Sequence, residues 1–145
     1  MPARDLFHDA VKTGLEKEGW KITADPLKVD FGDQADPDDN TEGFIDLAAD
    51  EVLAAEAGGR KIAVEIKTFA GRSWVDDFHH ALGQFLNYRR ALHRQEPERQ
   101  LYLAMPLETY DNYFSRWLMQ SAIAEHHLKI IVYDPGKEAL IKWLE

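Results

Sequence analysis

The chain contains no cysteine. Disulfide bonds, iron–sulfur clusters and thiolate-bound zinc are therefore excluded, which suits a reducing compartment, and we expect the cytoplasm. Long hydrophobic runs are missing too: no stretch approaches the roughly 18 apolar residues that a membrane span requires. The residues after Met1 also lack the apolar segment of a signal peptide. We therefore expect neither a membrane span nor a Sec-type signal.

Positive charge is scarce, because 17 Lys and Arg stand against 26 Asp and Glu and leave a net charge of −9. Non-specific binding to nucleic acid depends on neutralising phosphates, so this balance argues against it. The charges are unevenly distributed, however. Residues 30–42 contain acidic side chains and no basic one, whereas residues 89–99 contain Arg89, Arg90, His93, Arg94 and Arg99. Nucleic acid therefore stays a candidate partner, through a local basic patch and bound cations.

The pattern of elements predicts one domain over residues 1–145, since a chain of 145 residues that is 45% hydrophobic can bury its own core. Helices are predicted at 5–18, 74–93 and 108–126, and strands at 20–23, 27–31, 44–56, 60–69, 100–104, 128–133 and 139–144. Gly58–Gly59 is the predicted hairpin turn, and residues 32–43 form a solvated acidic loop. This order predicts an α/β (α+β) fold, a mixed sheet flanked by helices.

An acid and an amine stand two residues apart in the strand Lys61–Lys67. Because alternate residues of a strand share a face, Glu65 and Lys67 are expected on one face, with Ile62, Val64 and Ile66 on the other. Such a pair can help to bind a divalent cation and orient a water. The alternative is an ordinary Glu–Lys pair on the solvent face of a hairpin.

A carboxylate also interrupts the apolar run Phe44–Leu47. Asp is depleted in strands, and a buried carboxylate without a partner is costly, so Asp46 is expected beside a metal ion or a lysine. A simple ion pair from Asp46 to Lys67 would satisfy the same requirement without any catalysis.

Three further polar side chains are candidates for the same site. Gln84 and Tyr88 are four residues apart on the predicted helix and share one edge of it, where they could orient a water or a phosphate. Alternatively, Gln84 is a solvated helix residue and Tyr88 an aromatic at the edge of the core. His8 borders the apolar face of the first helix and could reach the site, although a packed, hydrogen-bonded histidine is the simpler interpretation.

These residue types suit phosphodiester hydrolysis assisted by Mg²⁺ or Mn²⁺. Mg²⁺ favours oxygen ligands, usually one or two carboxylates with waters and substrate phosphate. Asp46 and Glu65 would supply the carboxylates and the Ile66 backbone carbonyl a further oxygen, while Lys67 would position the attacking water.

In its ordered motifs the chain resembles the XisH family, known as fdxN element excision controlling factors. The matching segments are Met1–Asp5 with His8, Gly19–Thr23, Asp25–Leu27, Ile45–Leu47, Ile62–Lys67, Phe78–His79, Ala81–Phe85 and Tyr102–Ala104. The resemblance implies a restriction-endonuclease-like fold with a PD-(D/E)xK site, in which Asp46, Glu65 and Lys67 match the motif residues. Gln84 and Tyr88 resemble the Gln-x-x-x-Tyr element of some nuclease branches. Ile45 stands where the name of the motif has proline.

The resemblance implies a role in programmed DNA rearrangement in cyanobacteria, and three hypotheses follow. The first is a metal-dependent DNA endonuclease, and the second a control factor that binds DNA or the excision recombinase without cutting. The third is an interaction module whose partner is an XisI-type protein. A homodimer is a further expectation, since DNA sites with two-fold symmetry often bind dimers.

Overall fold

The structure, a computed structural model, describes residues 3–51 and 59–145. The elements in chain order are α1 (Ala3–Lys17), β1 (Trp20–Ala24), β2 (Leu27–Asp30), β3 (Glu42–Ile45), β4 (Leu47–Glu51), β5 (Lys61–Ile66), α2 (Trp74–Gln95), β6 (Arg99–Pro106), α3 (Leu107–Tyr113), α4 (Trp117–His126), β7 (Ile130–Asp134) and β8 (Ala139–Leu144). No helix within these two ranges has the length and apolar character needed to cross a membrane.

Six strands form one mixed sheet in the order β1-β4-β5-β6-β7-β8. β5, β6 and β7 run parallel in the centre, and the strands on either side pair antiparallel. β2 and β3 form a separate antiparallel pair. Parallel neighbours need a crossover, which α2 supplies between β5 and β6. The predicted α/β class, a mixed sheet flanked by helices, is confirmed.

Both faces of the sheet are covered. Ala10, Val11 and Leu15 of α1 pack on one face with Ile62 and Val64 of β5. On the other face, α2 and α4 pack with Ala63 and with the β2–β3 pair; the buried side chains there include Phe78, Phe85, Leu92, Met119, Val29 and Ile45. β5 is therefore buried on both sides, as central parallel strands usually are.

The predicted ends of two helices are confirmed. α1 gives way to a turn that closes at Gly19, whose φ of 91° lies in the left-handed region that glycine adopts without a steric penalty. Ser73 is the N-cap of α2, and its hydroxyl accepts a hydrogen bond from the Asp76 backbone N–H at 3.3 Å.

The predicted helix over 108–126 is wrong, because it is divided into α3 and α4. Arg116 has an extended backbone (ψ 140°), which interrupts the helical hydrogen-bond ladder. The Gln120 side chain donates to the Phe114 carbonyl at 2.6 Å and so satisfies one released acceptor. The break lets Phe114 and Leu118, on either side of it, both pack against the core.

The predicted strand over 44–56 is wrong at Asp46. The chain bends there and leaves the two-stranded sheet at Ile45 to join the six-stranded sheet at Leu47. Residues 52–58, with part of the predicted turn at Gly58–Gly59, lie outside the described residues.

The acidic segment forms a loop, as predicted, and its carboxylates serve the loop's own backbone. The side chains of Asp30, Asp33, Asp36 and Asp39 accept hydrogen bonds from backbone N–H groups two residues further along the chain. Such local bonds are how Asp stabilises turns. The hydrogen bond from the Thr41 hydroxyl, together with backbone N–H donors, lowers the pKa of Asp39. These four carboxylates are therefore explained by the conformation of the chain around the loop.

Two glycines give a matched test of packing. A Cβ on Gly43 would lie 2.4 Å from Cε2 of Phe31 and 3.0 Å from Cε1 of Tyr88, whereas a Cβ on Gly83 in α2 would meet nothing within 4 Å. We expect Gly43→Ala to lower the free energy of unfolding by about 1–3 kcal/mol through overpacking. Gly83→Ala should raise it by about 1 kcal/mol, through helix propensity. Urea unfolding measures both, and a stable Gly43→Ala protein would contradict the close packing of Phe31.

Candidate active site

Asp46 lies at the bend between β3 and β4. In the antiparallel pair of β4 and β5, Leu47 lies opposite Val64. One residue beyond that pair, Asp46 therefore lies opposite Glu65. There the Asp46 carboxylate replaces a backbone acceptor: its Oδ2 accepts a hydrogen bond from the Ile66 N–H at 2.8 Å. Because the N–H and C=O of a strand residue point to the same side, the Ile66 carbonyl faces the Asp46 side as well.

Glu65 occupies the next-to-last position of β5 and is only 5% exposed. It shares a face with Ala63, whose neighbours are the side chains of α2, while Ile62 and Val64 face α1. The predicted division of side chains between the two faces is confirmed. The alternative of a solvent-exposed pair on a hairpin is wrong, because β5 lies between β4 and β6 in a covered sheet.

Lys67 directly follows β5 and is held at both its backbone and its side chain. Its N–H donates to the Ala104 carbonyl at 2.9 Å, and its own carbonyl accepts from the Tyr133 hydroxyl at 3.2 Å. Its Nζ lies 3.8 Å from Oε1 of Glu65 and donates a hydrogen bond to Oε1 of Gln84. Lys67 therefore pairs with Glu65, and the predicted alternative of an ion pair with Asp46 is not found among the described residues.

Gln84 and Tyr88 lie on the edge of α2 that faces this end of the sheet. Gln84 Nε2 is 3.5 Å from the Tyr88 hydroxyl, and Tyr88 stacks on Phe31 with ring centroids 5.6 Å apart. The pKa of Tyr88 is raised mainly by burial, and further by the negative charges of Glu65 and Asp46. The interpretation of Gln84 as a merely solvated residue is therefore wrong, since it bridges Lys67 and Tyr88.

A cleft of about 450 Å³ brings the predicted residues together. Asp46, Glu65, Ile66, Lys67, Gln84, Tyr88 and His8 all line it. His8 reaches it from α1 but is hydrogen-bonded through Nε2 to Oδ1 of Asp25 at 2.8 Å, and Lys12 binds the other Asp25 oxygen at 3.0 Å. The simpler interpretation of His8 as a hydrogen-bonded residue agrees with this geometry. The catalytic roles of the set stay predictions.

Sequence reasoning missed several residues of the cleft. Phe44 and Thr68 line it directly, and the side chain of Phe44 is 49% exposed. Tyr133 of β7 supports the cleft, because its hydroxyl donates a hydrogen bond to the Lys67 carbonyl. Burial is the main cause that raises the pKa of Tyr133, and the charge of Asp46 is the second. A residue that acts through a distant backbone carbonyl leaves no spacing signal; Thr68, next to Lys67, could have been inferred.

The oxygen donors are few. Within 3–51 and 59–145, no three His, Asp or Glu side chains are close enough together to form a metal site by themselves. The cleft instead offers two carboxylates, Asp46 and Glu65, and the Ile66 backbone. One or two carboxylates are the usual protein share of a Mg²⁺ site, with water and phosphate completing it. The donor set therefore fits Mg²⁺ or Mn²⁺ and does not fit a closed site made of side chains alone.

A model of the XisH protein family matches residues 1–141. The chain belongs to the XisH family. It is similar to the crystal structure of an XisH family protein from Nostoc punctiforme, with 43% identity and a TM-score of 0.82, over 97% of this chain and 100% of that one. It is equally similar to the crystal structure of an fdxN element excision controlling factor protein from Anabaena variabilis. That match also has 43% identity and a TM-score of 0.82, over 98% of this chain and 100% of that one. No curated protein matches the chain. The predicted membership of the XisH family is thus confirmed.

Proposed function

We propose that the protein is an excision controlling factor that acts in programmed DNA rearrangement as a divalent-metal-dependent DNA endonuclease. Two findings support the first part: membership of the XisH family, and 43% identity to a protein described as an fdxN element excision controlling factor. The second part is carried by one observation. Asp46 lines one cleft at the end of β5 together with Glu65 and Lys67, which follow it about twenty residues later in the sequence.

We assign a role to each of six residues that line the cleft. Asp46 and Glu65, with the Ile66 carbonyl, would hold Mg²⁺ or Mn²⁺. When bound, such an ion stabilises the charge that develops on a phosphodiester in hydrolysis. Lys67 would direct a water toward phosphorus and offset the charge of the phosphate. Gln84 keeps the Lys67 ammonium in place by accepting its hydrogen bond, and Tyr88 supports Gln84 in turn.

The burial of Glu65 strengthens the assignment. A carboxylate that is 5% exposed loses most of its hydration, so a cation beside it is strongly favoured. Lys67 supplies one positive charge at 3.8 Å, but Asp46 adds a second negative charge to the same cleft. A divalent cation between Asp46 and Glu65 would be stabilised by both carboxylates.

The test is DNA cleavage by purified protein. Supercoiled, branched and single-stranded DNA are incubated with Mg²⁺ or Mn²⁺, and in parallel with a chelator. We expect products only with the metal, and none from Lys67→Ala. The matched control is Lys61→Ala, which removes an amine from the opposite end of the same strand. No cleavage of any substrate, or equal cleavage by the two lysine variants, would reject the endonuclease.

A second candidate is a control factor that binds DNA or the recombinase without cutting, with an XisI-type protein as a further proposed partner. It is favoured by the small number of metal-binding side chains in the cleft, and the net charge of −9 favours binding to the recombinase over binding to DNA. Lys67→Ala should then support normal excision in cells at an equal folded level. Co-elution with the recombinase or the XisI-type protein in size exclusion would support it, and loss of excision in Lys67→Ala would contradict it.

A further inference from the structure

A second cavity, of about 510 Å³, lies at the opposite end of the parallel strands from the cleft. Its walls are the C-terminal half of α2, the start of β6 and the segment between α4 and β7. Among the residues that the structure describes, every ionisable side chain lining it is basic. They are Arg89, Arg90, His93, Arg99, His127 and Lys129. In a chain with a net charge of −9, such a cluster needs a physical explanation.

One of these cations is neutralised inside the protein. Arg99 is 9% exposed and lies 3.0 Å from Asp50 and 3.2 Å from Glu96. Its Nη1 also donates to the carbonyls of Ala49 and Ile62. Arg99 therefore has a structural role, since it joins the end of α2 to the sheet.

The arginines of α2 have neutral partners instead. Arg89 donates to the His126 carbonyl at 2.7 Å, at the C-terminal end of α4, and Arg90 donates to the side-chain oxygen of Asn87. Neither acceptor carries a formal charge. Lys129 lies over the face of Tyr102, 5.9 Å from its centroid. The pKa of the Glu145 carboxyl is lowered mainly by its hydrogen bond from Tyr102, and Lys129 is also close enough for its charge to lower it. The contacts of Arg89 and Arg90 orient their guanidinium groups against neutral acceptors, so their positive charges stay available to an anion in the cavity.

The inner wall of the cavity is apolar. Leu92 and Leu101 are buried in the core beneath it, and Pro97 adds an apolar rim. The volume lies within the range of about 300–1,000 Å³ that small-molecule sites usually have. The site thus combines guanidinium groups, which bind phosphate oxygens in a bidentate manner, with an exposed apolar rim at Pro97 against which a flat ring can pack.

We propose that this cavity binds a nucleoside phosphate, either a free nucleotide or the terminal nucleotide of a nucleic-acid strand. The phosphate lies against Arg89, Arg90 and Lys129, and the base packs on the exposed ring of Pro97 at the rim. Binding here does not require the carboxylates of the cleft, so it holds whether or not the cleft cuts DNA.

The experiment measures binding of three probes in the presence of a chelator, so that no metal acts in the cleft. The probes are inorganic phosphate, deoxyadenosine 5′-monophosphate and a 5′-phosphorylated single strand of about ten nucleotides. The test variant is Arg90→Glu with Lys129→Gln. The control is Arg116→Glu with Lys21→Gln, which changes the net charge equally at side chains that do not line the cavity. Circular dichroism checks that both variants are folded.

We expect the nucleotide to bind more tightly than phosphate, and the test variant to weaken it about tenfold or more, since charge-assisted hydrogen bonds are lost. The control variant should bind as the unmodified protein does. A strand that binds more tightly than the nucleotide identifies a strand end as the ligand; equal affinity identifies the free nucleotide. The idea is overturned if no probe binds, if test and control variants weaken binding equally, or if phosphate binds as tightly as the nucleotide.

Discussion

Asp46→Asn is expected to reduce metal-dependent DNA cleavage at least about a thousandfold. A bound metal ion stabilises the charge on the reacting phosphate by several kcal/mol, and each loss of about 1.36 kcal/mol lowers the rate tenfold. The substitution keeps the shape of the side chain and one oxygen that can accept from the Ile66 N–H at the bend between the two sheets. It removes only the negative charge. The fold should therefore persist while the cleft loses half of its carboxylate pair.

Two comparisons make this result specific. Asp46→Ala should also lose cleavage, but it should lower the free energy of unfolding by about 1–3 kcal/mol, because the Ile66 N–H is left without its acceptor. Asp50→Asn, a neutralised Asp at the other end of β4, should retain cleavage. Binding of Mn²⁺ can be measured by paramagnetic broadening. It should weaken in Asp46→Asn and stay unchanged in Asp50→Asn. Unchanged cleavage and Mn²⁺ binding in Asp46→Asn would remove Asp46 from the site.

Phe85→Ala is expected to lower the free energy of unfolding by about 3–5 kcal/mol, the usual cost of deleting a buried phenyl ring. Phe85 has no exposed surface and belongs to the core cluster that joins α2 to the sheet. Its ring also lies 5.5 Å from the Arg89 guanidinium. Because domains of this kind are stable by only about 5–15 kcal/mol, the variant should unfold at a much lower urea concentration.

Phe44→Ala is the matched control, since it makes the same chemical change at a side chain that is 49% exposed. It should cost well under half as much stability.

Phe85 also precedes the cavity-lining turn of α2 and follows Gln84, so its loss should loosen Gln84 and Tyr88 and reduce cleavage even where the variant is fully folded. Equal unfolding midpoints for Phe85→Ala and Phe44→Ala would show that α2 is not anchored through this ring.

The interrupted strand at Asp46 illustrates where prediction from the sequence ends. The run Phe44–Leu47 looks like one strand, because every neighbour of Asp46 is apolar. Only the sheet topology shows that Ile45 belongs to one core and Leu47 to the other. The bend between them is what aims the carboxylate at Ile66, and periodicity cannot report it.

The divided helix has the same origin. The sequence predicts one helix over 108–126, yet the chain forms two segments with a break at Arg116. The basic cavity shows the complementary case. A local excess of arginine at 89–99 is visible in the sequence, but His127 and Lys129 join it only because α4 returns to the same end of the sheet.

The sequence alone determined the α/β class, the family, the caps of α1 and α2 and the identity of the candidate residues, because these follow from local spacing and from ordered motifs. Tertiary structure decided that Glu65 is buried, that Lys67 pairs with Glu65 and Gln84, and that Asp46 binds the Ile66 amide. Those relations depend on which strands become neighbours. Pairing between distant segments is set by packing over the whole sheet, and no local pattern of residues carries that information.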